Sequence, residues 1–142
     1  LSLAVFEPGR RLIEKLVSDG WAAQTPIKFE NVKFHQPANA PWVALYVRWA
    51  FGEQVSVGPV GRRLERHGGA VVVQVFTPKS GGQKLMMDYC DAAASVLRMQ
   101  TLIDAPTGIE LELRAPDLID AGEEKLLLHK NVSVPFRIDA LF

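Results

Sequence analysis

Apolar positions recur with two periods along this chain, and the switches between them mark out its elements. Leu12, Ile13, Leu16 and Val17 fall at helical spacing, with Arg10, Arg11, Glu14 and Lys15 between them. The spacing predicts a helix that starts near Pro8, with proline in its first turn, and stops at Gly20. Trp21 is expected to fold back as an apolar anchor. After Thr25-Pro26, Ile27 and Phe29 alternate with Lys28 and Glu30, as in a strand. Beyond Asn31 the phase shifts to Val32 and Phe34, which marks a bulge or a strand end. His35, Pro37, Asn39 and Pro41 read as a loop.

The clearest strand runs over 42–57. Val43, Leu45, Val47, Trp49 and Phe51 fall on one face, expected to be core; Trp42, Ala44, Tyr46, Arg48 and Ala50 fall on the other. Gly58, Pro59 and Gly61 break the chain. Residues 62–67 then form either a hairpin arm or a polar lead-in, offset by a glycine bulge at Gly68-Gly69. Ala70 to Thr77 reads as a buried strand that Pro78 ends, since proline offers no ladder donor. A helix is predicted over 82–100, with Leu85, Tyr89, Ala92, Ala93, Val96 and Leu97 on its apolar stripe. Asp104 to Thr107 is a turn, and Ile109, Leu111 and Leu113 alternate as a strand. The acidic, Pro/Gly-marked stretch 115–125 reads as a loop. Leu126 to Leu128 and Val132 to Ile138 suggest a last strand or hairpin, with Pro135 at an edge or bulge. The sum is one α+β domain over 1–142, of order α-β-β-β-α-β-β. Its mostly antiparallel sheet of about five strands carries two helices packed on one face.

Composition narrows the function classes. The chain has 142 residues, with 48% hydrophobic and 23% charged, so it can bury a core without staples. Sixteen basic and sixteen acidic side chains balance, whereas a free-standing nucleic-acid binder carries a basic excess. Neutrality also removes a barrier to self-association. Cys90 is the only cysteine, which excludes an intrachain disulfide and a multi-cysteine zinc site. No apolar run approaches the ~20 residues of a membrane helix, and no basic-then-apolar leader opens the chain, so no membrane contact is expected.

Candidate chemistry is sparse. Between the strand and the helix, Lys79-Ser80-Gly81-Gly82-Gln83-Lys84 could present backbone amides to an anion, but it matches neither phosphate-loop pattern; a tight connection is the plain reading. Cys90 sits mid-helix between Asp88 and Asp91, which oppose a thiolate. His35, His67 and His129 lack metal-ligand spacing, and Asp88, Asp91, Glu110 and Glu112 fall on polar faces. No catalytic residue, metal or cofactor is therefore expected. The one basic cluster is Arg62, Arg63, Arg66 and His67, open to three readings. It is a solvated hairpin, a partner for acidic residues of a neighbouring subunit, or a lining that faces DNA in a ring lumen without reading its sequence. Trp42, Tyr46 and Arg48 share one strand face and are residue types enriched in binding hot spots; the alternative is a second buried face.

Several of these stretches resemble the tail terminator proteins of long-tailed bacteriophages and the related minor tail proteins of prophages. They are the opening helix followed by Thr25-Pro26-Ile27 and Phe29-Glu30-Asn31, then the aromatic strand from Trp42 to Trp49 continuing through Gln54 to Gly58. The stretch from Arg66 to Pro78 with the helix to Leu97, and the closing Val132 to Phe136, complete the likeness. The resemblance implies a structural virion protein and not an enzyme. Its subunits would form a ring, a hexamer in the family, that caps the tail tube, ends its polymerisation and presents a joining surface to the head. The implied partners are further copies of itself, the tail tube protein and head-tail connector proteins, with DNA passing through the lumen. Its implied location is the virion tail, and the host cytoplasm during assembly. Loop 115–125 has no place in this likeness. Subunit or tube contacts are assigned to Trp42, Tyr46, Arg48, Arg62, Arg63, Arg66 and His67. The competing readings are another neck or connector protein, and a small α+β ligand-binding domain or enzyme built on the Ser80-Gly82 turn, which would require a concave pocket there.

Overall fold

The computed structural model describes residues 4–22, 24–124 and 127–142, with 123–124 in backbone only. Its elements are α1 (Phe6–Trp21), β1 (Ile27–Lys28), β2 (Trp42–Gln54), β3 (Leu64–Pro78), a 3-10 turn (Lys79–Gly81), α2 (Gly82–Leu97), β4 (Thr101–Asp104), β5 (Ile109–Leu113), β6 (Asp117–Glu124) and β7 (Leu127–Leu141). The fold is α+β, with a mixed, mostly antiparallel and curled sheet. The sheet has seven strands, not about five, in the order β1-β2-β3-β7-β5-β4, with β6 also on β7. One pairing departs from the antiparallel rule: β1 runs parallel to β2, aligning Ile27 with Val43.

β7 organises the sheet. One edge pairs with β3 from Leu127 to Leu141. The other is divided: β6 takes the half up to Ser133, and β5 takes Phe136 to Asp139. Pro135 falls at the seam, where its carbonyl accepts from Arg114 N at 2.9 Å. N–H and C=O of one strand residue point to the same side, so the missing donor faces the gap between β6 and β5. The expected edge position for Pro135 is thus met locally, within an interior strand.

The stretch 115–125 is not the expected loop, since most of it is β6. Asp117 to Asp120 all lie exposed, so no face is buried and no alternation is written into the sequence; pairing with β7 makes the strand. The expected strand start at Leu126 lies outside the described residues.

Both helices cover one sheet face. Ile13, Val17 and Trp21 of α1 and Met86, Cys90, Ala93 and Leu97 of α2 meet Val43, Leu45, Val71, Val73, Val134 and Ile138 of the sheet in one buried cluster. Pro8 stands in the first turn as expected. Gly20 does not end α1; it lies within the last turn, against Val96 of α2, and Ala22 supplies the left-handed cap at φ 53°. Trp21 is fully buried and donates to Thr25 Oγ1 at 3.1 Å. α2 ends at Leu97, three residues before the expected stop. Its buried stripe passes through Met86 and Cys90, while Leu85, Tyr89 and Val96 are half-buried.

Phe51 is the sharpest departure from alternation. Trp49 pairs with Gly69, yet Phe51 pairs with Gly68, so Ala50 is an extra residue in β2. This bulge turns Phe51 away from the helices, onto the opposite face, where its ring lies over Gly68 and is half exposed. The register depends on Gly69: a Cβ there would stand 1.8 Å from the Arg48 carbonyl oxygen.

Behind the sheet, at the far end of β2, a smaller cluster joins Trp42, Ala44 and Phe76 to Phe34, Tyr46 and Leu127. The rings form a ladder across three strands. Phe34 lies 5.3 Å from Trp42, Trp42 stacks on Phe76 at 4.1 Å, and Phe76 stacks on His129 at 4.2 Å.

Asp104 ties β4 to α1. It accepts from Thr107 Oγ1 at 2.5 Å and from Arg11 Nη2 at 3.1 Å. The Thr107 hydrogen bond, reinforced by Arg11, holds its carboxyl below the usual range against the upward push of burial. A lowered folded value contributes stability above the unfolded carboxylate's titration, near pH 4 (an unfolded Asp has pKa ≈ 3.9), and loses it as pH falls through the lower folded value. Stability should therefore fall less steeply with pH below about 4 in Asp104→Asn than in the wild type, as followed by circular dichroism. In urea titrations, Gly69→Ala should destabilise by about 1–3 kcal/mol or more, because backbone and not a movable side chain blocks the methyl. Trp42→Ala should cost about 3–5 kcal/mol, as for any large ring removed from a packed cluster.

Candidate functional site

Alternation along β2 and β3 decides where the expected contact residues go. Trp42 is 6% exposed and held between Phe34 and Phe76, so it braces the sheet and is not presented to a partner. Its Nε1 is buried without a hydrogen-bond partner, as are His129 Nε2 and Asn131 Oδ1 on the same face. Tyr46 is half-buried, and the Arg48 guanidinium sits over its ring at 4.7 Å, 3.9 Å from Glu30. Glu30 also accepts from Val47 N at 2.7 Å, which anchors the loop after β1 along the upper edge of β2. Of the aromatic trio, Tyr46 and Arg48 alone form an accessible pair.

The expected basic cluster is dispersed. Arg66 points to the face away from the helices and grips Asp139 with two bonds, at 2.8 and 3.2 Å. Asp139 is also 3.8 Å from Arg137, which donates to Glu112 at 2.6 Å. Arg66, Asp139, Arg137 and Glu112 thus form a charge ladder over β3, β7 and β5. Neighbouring His67 points the other way, beside Glu65 Oε1 at 2.9 Å and edge-on to Phe6 at 5.4 Å. Arg62 and Arg63 remain in the 55–63 connection, both exposed. The physical reason is the strand period of two, which sends adjacent residues to opposite faces once residues 64–67 extend β3.

Cys90 is buried with its Sγ 3.8 Å from Met86 Sδ, and burial pushes its thiol up to about 11. Asp88 pairs with Lys84 at 2.8 Å, and Glu110 and Asp91 are exposed. Among the described residues, no three His, Cys, Asp or Glu side chains converge where a metal ion could sit. Ser80, Gly81 and Gly82 stand exposed at the strand-to-helix junction. A cleft of about 170 Å³ beside it is lined by Gln83, Asp120, Gly122, Leu128, His129 and Lys130. Among the described residues, no helix is long and apolar enough to cross a membrane.

What the alternation did not reveal is one apolar end of the sheet. Phe6, Phe51, Val55, Val57, Val60 and Leu141 are all large, apolar and between 43% and 95% exposed. They gather where β2 turns into β3 and where β7 ends, since Leu64 pairs with Leu141 and Gln54 with Glu65. An open cleft of about 710 Å³ enters this end, with Phe6, Val60 and Phe142 beside Arg63, Glu65 and His67. The signal was present in Val55-Ser-Val-Gly-Pro-Val, an apolar run interrupted by turn residues, as polar linkers are not.

No family model matches this chain. No curated protein matches it in sequence. Among solved structures it is similar to a protein whose designation states no function, at a TM-score of 0.73 and 18% identity, over 96% of each chain. At that identity the likeness shows a shared fold alone.

Proposed function

We propose that this chain is a structural protein of a bacteriophage tail, of the tail-terminator kind. Like subunits close into a ring that caps the tail tube, stops its growth and offers the head a surface to join. The observation that carries this reading is the exposed apolar end of the sheet, with Val57 95% and Val60 77% open to solvent. Exposed apolar side chains gathered at one end of a sheet fit a site of protein association. The reading is also supported by how charges are used. Arg66, Arg137, Asp139 and Glu112 neutralise one another on the sheet, and Cys90 is held as a buried thiol, so none is poised beside a helper group.

The family likeness in the sequence supplies the tail as the setting. Tail tube protein and head-tail connectors are then the partners, and the work is done in the virion tail after assembly in the host cytoplasm. Tyr46, Arg48, Arg62 and Arg63 supply contacts, while Trp42 holds the sheet that carries Tyr46. A ring of this kind catalyses nothing and holds no cofactor; DNA crosses its lumen without sequence readout. A neck or connector ring elsewhere in the same particle would use the same surface.

Light scattering after size separation, with and without tail tube protein, tests the reading. Rings are expected, alone or on tubes, and tubes grown in their presence should stop lengthening. Tyr46→Ala with Arg48→Ala should fold normally and cap poorly. A monomer that neither binds tubes nor alters their length would reject the proposal.

A further inference from the structure

Two surfaces at opposite ends of the sheet are complementary in charge and in apolar character. The first is the arm between β2 and β3, residues 55–63. Its root is fixed: Val55 N donates to Leu64 O at 2.8 Å, and Ser56 Oγ accepts from Leu64 N at 2.9 Å. Arg63 exchanges backbone bonds with Phe142 at 3.2 and 2.9 Å. A turn closes from Arg62 N to Pro59 O at 3.0 Å, with Gly61 at φ 89° in the third position, where a type II turn needs glycine. The arm therefore holds Val57 and Val60 out in solvent without a partner. Beside them stand Arg62 and Arg63; neither has a carboxylate partner among the described residues, and Arg63 Nε donates to the Gly58 carbonyl at 2.8 Å.

The second surface is β6. Its sequence, Asp-Leu-Ile-Asp-Ala-Gly-Glu-Glu, carries four carboxylates and no cation. Its only strand partner among the described residues is β7, so its outer edge is open. Leu118 and Ile119 are 44% and 47% exposed. Asp117 has no ion-pair partner among the described residues. Asp120 touches Lys130, yet its side chain stays 81% exposed. The register shift between Asp120 and Glu123 interrupts the ladder, leaving 117–120 as the regular part of the edge.

The two surfaces do not meet within one molecule. The arm is rooted at the Leu141 end of β7, and Leu118 pairs with Val132, nine residues away, or about 30 Å along the strand. Resting on the ring reading above, the geometry points to a second copy of this chain as the occupant: the 55–63 arm of one subunit docks on β6 of the next. The arm straddles the open edge, with its valines against Leu118 on one face of β6 and Ile119 on the other, and Arg62 and Arg63 reaching Asp120 and Asp117 on those same two faces. The chain as a whole is neutral, so the attraction is local to these ends. Different patches engage on each side, so the contact is heterologous and repeats from subunit to subunit until it closes. Each contact is small; closure and the tube beneath supply the rest through multivalency.

Mixing two defective variants tests this. Arg62→Glu/Arg63→Glu disables the arm, and Asp117→Lys/Asp120→Lys disables the edge. Each alone should associate at least about tenfold more weakly than the wild type, since like charges then meet. Their mixture offers two attractive contacts, the arginine arm on the aspartate edge and the glutamate arm on the lysine edge, so mixing should recover larger assemblies, as should all four changes in one chain. Asp117→Lys alone leaves the Asp120–Lys130 pair intact and should act in the same direction; unchanged thermal midpoints will confirm folding. Val60→Cys with Ile119→Cys should cross-link between subunits, against the quiet background of buried Cys90. Wild-type assemblies that survive Arg62→Glu/Arg63→Glu and give no 60–119 cross-link would overturn this contact and leave the ring standing. A wild type that is monomeric alone and on tail tubes would overturn both.

Discussion

The pairing of β3 with β7 is the constraint on which the rest of this molecule depends. The two strands run antiparallel in unbroken register from Leu64 opposite Leu141 to Pro78 opposite Leu127. Val71, Val73 and Val75 on β3, with Val132, Val134 and Phe136 on β7, all point to the same side. That single surface is what α1 and α2 cover, and a slip of one residue would turn every one of these side chains outward. β2 is then laid against β3, and β5 and β6 against β7, so every other strand takes its place from this pair.

The same register explains what charge does in the fold. Arg66 meets Asp139 and Arg137 meets Glu112 because those residues are opposite or diagonal across β3, β7 and β5. Partly exposed ion pairs contribute modestly to stability, but they leave the sheet face electrically quiet. The unmatched guanidiniums lie outside it, on a connection that the sheet does not constrain. A neutral chain can in this way keep its sheet face quiet while carrying unlike charge at its two ends.

How far the sequence reveals this structure depends on which force writes the pattern. Both helices, the long strand from Trp42 and the α+β class were legible, because burial against a core imposes period 3.6 or period 2 on the residues. β6 was not legible, since an edge strand with both faces in solvent leaves no apolar period to read. The seven-strand order was hidden for a related reason: β1 is formed by two residues, too few to show a period, and it reaches its parallel place beside β2 through the connection 29–41. Phe51 was placed on the wrong face because one extra residue, Ala50, inverts all that follows, and only Gly68-Gly69 on the partner strand hints at it. The expected contact residues differ in accessibility. Tyr46 and Arg48 are accessible as a hot-spot reading requires, whereas Trp42 belongs to a four-ring ladder whose other members, Phe34, Phe76 and His129, are remote in sequence.

The seam at Pro135 divides the outer ladder of β7 into two parts that share no amide. On one side β6 is held, among the described residues, by β7 alone; on the other β5 is backed by β4 and by the helices above it. Fraying that starts at the exposed acidic strand has no hydrogen bond through which to pass into β5. β6 can thus open as a separate low-energy unit while the core keeps its amides protected from exchange, and ordering that unit becomes a step that assembly itself can complete.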